Sequence, residues 1–94
     1  MSTVVSPQAQ EDLREVHRYI ARDNPAAARR EIARIKEAIK TLADGGVDGR
    51  EVFLESGERV RLWLVSSYRV YYRRLGKVLQ VIRVYHQARR PIER

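Results

Sequence analysis

The apolar residues of this chain change period once, and that change constrains most of what it can fold into. Ala9, Leu13, Val16 and Ile20 recur at intervals of four, three and four; Ala28, Ile32, Ile35, Ile39 and Leu42 recur at four, three, four and three. Each set forms one apolar stripe along a helix. From Arg59 onward the period falls to two. Val60, Leu62 and Leu64 alternate with Arg59, Arg61 and Trp63. Val70 and Tyr72 alternate with Arg69, Tyr71 and Arg73, and Leu79 and Val81 share parity with Arg83 and Tyr85. Such alternation builds strands with one face turned to a core.

The joints agree with this division. Ser6-Pro7 and Asn24-Pro25 each offer a side-chain cap followed by a proline, which has no N–H to leave unpaired in a first helical turn. Gly45-Gly46 ends the second helix. Two amphipathic helices joined so closely must run back antiparallel as a hairpin. Thr3 to Val5 reads as a short strand, and Glu51 to Leu54 as a short extended piece in a Gly-rich loop. Ser66-Ser67 and Leu75-Gly76-Lys77 turn between the three later strands, which makes an antiparallel meander. The expected fold is α+β: a short N-terminal strand and an antiparallel helical hairpin packed on one face of a small, mainly antiparallel sheet.

Ninety-four residues suit one domain spanning 1–94. There is no cysteine, so no disulfide and no thiolate metal site. His17 and His86 are too few for a histidine metal centre, and no metal or cofactor is expected. The longest apolar run, Leu62 to Val65, cannot span a membrane. Residues 1–7 show neither the basic start nor the apolar core of a secretory signal, so a cytoplasmic protein is expected. There is no Gly-rich phosphate loop, HExxH or GxSxG, which argues against an ordinary metabolic enzyme.

Charge is concentrated in one half. Residues 1–58 carry 9 basic and 11 acidic side chains, net −2; residues 59–94 carry 10 and 1, net +9. With the hairpin on one side of the sheet, the other side is expected to be uncovered and to collect Arg61, Trp63, Arg69, Tyr71, Arg73, Arg83 and Tyr85, followed by His86, Arg89 and Arg90. Cations interleaved with aromatics can hold phosphates and present rings to bases. The same residues also serve as the solvated face of a sheet. If this face cut RNA, Arg69 and Arg83 would stabilise charge and His86 would act as acid or base. A second well-placed base is missing. A non-catalytic nucleic-acid-binding module also fits the charge.

Four short motifs stand in order along the chain. Val5-Ser6-Pro7-Gln8-Ala9 leads into Asp12-Leu13. Tyr19-Ile20 precedes Asp23-Asn24-Pro25 and Ala27-Ala28. Tyr68-Arg69-Val70-Tyr71-Tyr72 forms one strand, and Ile82-Arg83-Val84-Tyr85-His86 with Arg89-Arg90 closes the chain. Together they resemble the RelE/ParE toxin superfamily of type II toxin–antitoxin systems, and the Asn-Pro joint is similar to its ParE branch. That resemblance implies a toxin acting on DNA gyrase, causing growth arrest and neutralised by a cognate ParD-like antitoxin with an acidic C-terminal segment. Such a toxin is not thought to cut RNA, and no catalytic residue is assigned. The hairpin positions it would offer the antitoxin are Leu13, Val16, Tyr19, Ile20, Ile35 and Ile39. RelE-type relatives are ribosome-dependent mRNA endonucleases, and that alternative would use Arg69, Arg83 and His86. The chain lacks that branch's lysines before the second strand, having Glu55 and Glu58 nearby instead, and it lacks a clear late tyrosine.

Overall fold

The computed structural model describes residues 2–93. Its elements follow the change of period: β1 (Ser2–Val5), α1 (Pro7–Ala21), α2 (Pro25–Asp44), β2 (Arg50–Phe53), β3 (Arg59–Val65), β4 (Tyr68–Leu75) and β5 (Val78–His86). Both helix starts form as the sequence requires. The Ser6 hydroxyl accepts from the Ala9 N–H at 3.0 Å, and Asn24 Oδ1 accepts from the Ala27 N–H at 3.0 Å. At the far end of α2, Gly45 takes φ +86°, a left-handed cap that an L side chain rarely adopts.

The sheet runs β1-β5-β4-β3-β2. β1 lies parallel to β5, and every other neighbour is antiparallel. The parallel pairing follows from the connection, because the helical hairpin carries the chain over one face before it returns as the meander. Ala9, Ile35, Ile39, Leu42 and Ala43 pack there on Tyr68, Val70, Tyr72, Leu79, Val81 and Val84.

The far face is not open, contrary to expectation. Val52, Val60, Leu62, Tyr71 and Tyr85 form a second buried cluster there, joined by Leu54, Ile82 and Ile92. The segment after β5 crosses this face and closes it. Leu54 bridges to Glu93, the Tyr71 hydroxyl donates to Glu93, and Arg50 pairs with the same carboxylate at 3.6 Å.

One face assignment changes with this second core. Trp63 stands opposite Val70 and Leu62 opposite Tyr71, and directly paired residues point to the same side. Trp63 therefore joins the helix-side core, while Val60 and Leu62 lie on the far face. Arg61 shares the side of Trp63. Alternation recognises two sides of a strand but cannot say which meets the helices when both are partly apolar. In β5 the pairing jumps from Tyr72–Val81 to Tyr71–Arg83, leaving Ile82 as an extra residue. This bulge inverts the parity. Arg83 and Tyr85 consequently leave the parity of Leu79 and Val81 and share the far face with Tyr71, as expected of them.

Candidate functional site

The sheet arginines are mostly committed within the fold. Arg61 donates to the Gly49 carbonyl at 2.7 Å and lies 3.5 Å from Asp48. Arg74 reaches the Val47 carbonyl at 3.2 Å and the same Asp48. Arg73 donates to Gln80 Oε1 at 2.7 Å and pairs with Glu58. Arg69 donates to the carbonyls of Gln87 and Arg89, at 2.9 and 3.3 Å. These side chains anchor loops and the C-terminal segment. An arginine already donating to carbonyls and carboxylates offers fewer N–H groups to a phosphate.

Arg83 makes the most buried of these contacts. Its Nε and a terminal nitrogen donate to the two oxygens of Asp12 at 2.9 and 3.0 Å, and the Val84 N–H donates to Asp12 at 2.9 Å. β1 ends at Val5, so the edge of β5 beyond Val81 has no strand beside it. Ser6 takes the carbonyls of Val81 and Ile82, and Asp12 takes the next N–H. The hydrogen bonds that Arg83 donates to Asp12 raise the Arg83 pKa above its ordinary value. The signal for Asp12 in the sequence is a carboxylate set three residues after Ala9 on an apolar stripe.

Around Asp48, burial favours the neutral acid. The hydrogen bond from the Tyr72 hydroxyl and the charges of Arg61 and Arg74 outweigh it and hold the carboxyl below its usual value. Burial first, then the hydrogen bond to Glu93, pushes the Tyr71 hydroxyl up to about 12. Both phenols are locked supports and make poor acids or bases near neutral pH.

A groove of about 520 Å³ opens between α1 and the end of β5. Partly exposed Val16 gives it apolar surface over a floor of buried Tyr68 and Val84; Arg18, Arg22 and Arg89 bring cations and His86 an imidazole ring. Glu15 and the satisfied Asp12 are its carboxylates. Tyr19, 74% exposed, also lines it. Glu15, Arg18, Tyr19 and Arg22 reach it together because residues three and four apart share a helix face. Arg18 pairs with Glu11 at 2.9 Å, whereas Arg22 and Arg89 have no carboxylate partner among the described residues. Arg89 lies 4.5 Å from the centre of the Tyr85 ring, and Arg83 lies 4.4 Å from it. His86 stands edge-on to Tyr68 and accepts the Ala88 N–H on Nδ1 at 2.9 Å.

The expected target face is thus dispersed. Arg61 and Trp63 lie on the helix side, Tyr71 is sealed beneath the C-terminal segment, and Arg73 sits between Glu58 and Gln80. Tyr85, His86 and Arg89 reach the groove, while Arg90 stands exposed in the tail. Among the hairpin positions, Val16 and Tyr19 line the groove. Leu13 lines a separate α1–α2 cleft with His17, Ile32 and Lys36. Ile20 is partly buried, and Ile35 and Ile39 are core residues, 0% and 6% exposed. Burial against the sheet removes those two from any partner. Arg18, Arg22, Glu15 and Val84 carried no signal until the helix and strand were brought together. Among the described residues no three His, Asp or Glu side chains converge on a possible metal position. Among the described residues no helix is long and apolar enough to cross a membrane.

Comparison with known proteins places this geometry. A family model described as ParE toxin of type II toxin-antitoxin system, parDE, matches residues 4–91. A solved structure titled as the chromosomal ParDE TA system from P. aeruginosa superposes with a TM-score of 0.74 at 23% identity, covering 92% of this chain and 95% of that one. At that identity it shows a shared fold. No curated protein matches the chain.

Proposed function

Because the chain belongs to the ParE toxin family of type II toxin–antitoxin systems, we propose that it inhibits DNA gyrase in the cytoplasm and is silenced by a cognate antitoxin. In this reading an acidic segment of the antitoxin lies along α1 and fills the groove beside β5. The observation that carries it is the groove itself. Partly exposed Val16 and exposed Tyr19 stand over a buried floor of Tyr68 and Val84, and Arg22 and Arg89 lie there without carboxylate partners among the described residues. A disordered acidic segment gains apolar burial and charge pairing together when it orders on such a surface.

The arrangement favours a toxin that works by binding over one that cuts RNA. Arg83 is bound to Asp12, and Arg69 holds the tail. The far face of the sheet is closed by Ile92 and Glu93. His86 has no carboxylate hydrogen-bonded to it among the described residues.

The test is a supercoiling assay with purified gyrase, run beside mapping of mRNA ends after induction. Inhibited supercoiling, relieved by the antitoxin and without new mRNA ends, is the expected result. Normal supercoiling with codon-phased cuts would overturn the reading. In the antitoxin binding assay, Tyr19→Ala and Arg22→Ala weaken the complex while leaving the fold intact.

A further inference from the structure

The C-terminal turn forms one wall of the groove, and the side chains of Gln87 and Arg69 hold that turn to the sheet. Gln87 N–H donates to the Ser67 carbonyl at 2.7 Å, and Gln87 Nε2 donates to the Ser66 carbonyl at 3.1 Å. Arg89 N–H donates to the His86 carbonyl at 3.0 Å. The Gln87 contacts tie only the first half of the turn to the sheet, and the Arg89 bond closes the turn on itself. Arg69, reaching from β4, ties the second half to the sheet as well, since one of its terminal nitrogens faces the carbonyls of Gln87 and Arg89 together. A charged donor shared between two carbonyls makes stronger bonds than a neutral one. The Arg89 backbone is thereby held where its own guanidinium lies over Tyr85 and on the groove. Asp12 already neutralises Arg83 on the same ring, so Arg89 is left as the uncompensated charge there.

We propose that Arg69 is a positioning residue for partner recognition, acting through Arg89 rather than by touching the partner. The proposal rests on the reading of the groove as the antitoxin's seat. It gives the arginine of the Tyr68-Arg69 strand a role with no phosphate in it. With the clasp in place, Arg89 meets an incoming carboxylate already ordered, and binding does not have to immobilise a long side chain and a free tail. Without the clasp, the turn and the Arg89 guanidinium lose that restraint.

The test is a double-mutant cycle on the full chain, with purified cognate antitoxin as the probe and its Kd measured over a range of salt. Arg89→Ala is expected to raise Kd about tenfold, the size of one lost charged contact, and to reduce the salt dependence. Arg69→Gln raises Kd by a similar factor and lowers the salt dependence in the same way. The double variant is no weaker than either single one, because both remove the same contact. Arg69→Lys, which keeps a cationic donor, recovers part of the affinity. Hydrogen exchange at residues 87–89 quickens in Arg69→Gln and stays near wild type in Arg89→Ala. A purely structural role would make the two losses additive and leave the salt dependence unchanged; that pattern overturns the proposal. So does faster exchange with an unaltered Kd. If Arg69→Gln is too unstable to measure, Arg69→Lys in the Arg89→Ala background decides, since the lysine must then cause no further loss. Failure of the groove reading has a different signature: Tyr19→Ala, Arg22→Ala and Arg89→Ala would all bind the antitoxin as wild type does.

Discussion

Replacing Asp12 by alanine tests how the hairpin is fastened to the sheet. The carboxylate is 6% exposed and accepts three hydrogen bonds, two from Arg83 and one from the Val84 N–H. Removing one partner of a buried pair costs about 3–5 kcal/mol, because the other charge is left without compensation. Here the Arg83 side chain is 31% exposed, so water recovers part of that loss. The Val84 N–H recovers less, and an unsatisfied buried donor costs about 1–3 kcal/mol. These considerations put Asp12→Ala near 3 kcal/mol, about a fifth to three-fifths of the 5–15 kcal/mol usual for a domain. Asp12→Asn keeps an acceptor for Val84 but loses the charge, and should cost about 1.5–2 kcal/mol. Urea unfolding followed by Trp63 fluorescence reports both, because Trp63 packs on the helix-side core. At slopes of about 1–3 kcal/mol per molar, Asp12→Ala moves the midpoint down by about 1–3 M. A cost below about 1 kcal/mol for Asp12→Ala, or equal costs for the two variants, would refute the view that this carboxylate completes the edge of β5.

Two further perturbations address the far face and the loop before β2. Tyr71 is wholly buried, and burial pushes its hydroxyl up to about 12, from the ordinary tyrosine value of about 10. A raised pKa means that this contribution is fully present below pH 10 and declines as pH rises toward 12. Stability should therefore fall by about 2 kcal/mol over that window, and less steeply in Tyr71→Phe. Burial raises Tyr68 and Tyr72 as well, so part of the decline remains in the variant. An identical decline in both proteins, followed by circular dichroism, would contradict the assignment. At Gly49 an added Cβ would run into the carbonyl of Leu62, and the residue's N–H donates to the Tyr72 hydroxyl at 2.6 Å. Gly49→Ala must push the loop off the sheet, lowering stability by about 1–3 kcal/mol in thermal unfolding; an unchanged melting temperature would show that the loop yields without cost.

Much of the architecture follows from local chemistry and was legible in the residues. Ser6-Pro7 and Asn24-Pro25 start helices wherever they stand, because the cap and the proline act on their own turn. The stripes from Ala9 to Leu42 require a cover, and the alternating strands supply it. The order of elements and the α+β class need nothing more. The groove was not legible in this way. Its wall residues Tyr19, Arg22, Val84 and Arg89 come from a helix, a strand end and a tail, and no spacing in the chain joins them.

What the sequence determined by itself was period, caps and charge: two helices, a set of alternating strands and a C-terminal half rich in arginine. Tertiary structure decided which way each arginine faces and what it holds. One extra residue at Ile82 inverted the end of β5, a second apolar cluster drew the tail across the far face, and Asp12 claimed Arg83. The physical reason is that alternation carries only relative sidedness, whereas pairing register, bulges and long-range charge contacts depend on residues distant in the chain. A count of cations gives the strength of a field, and the fold determines how many of them remain for a partner.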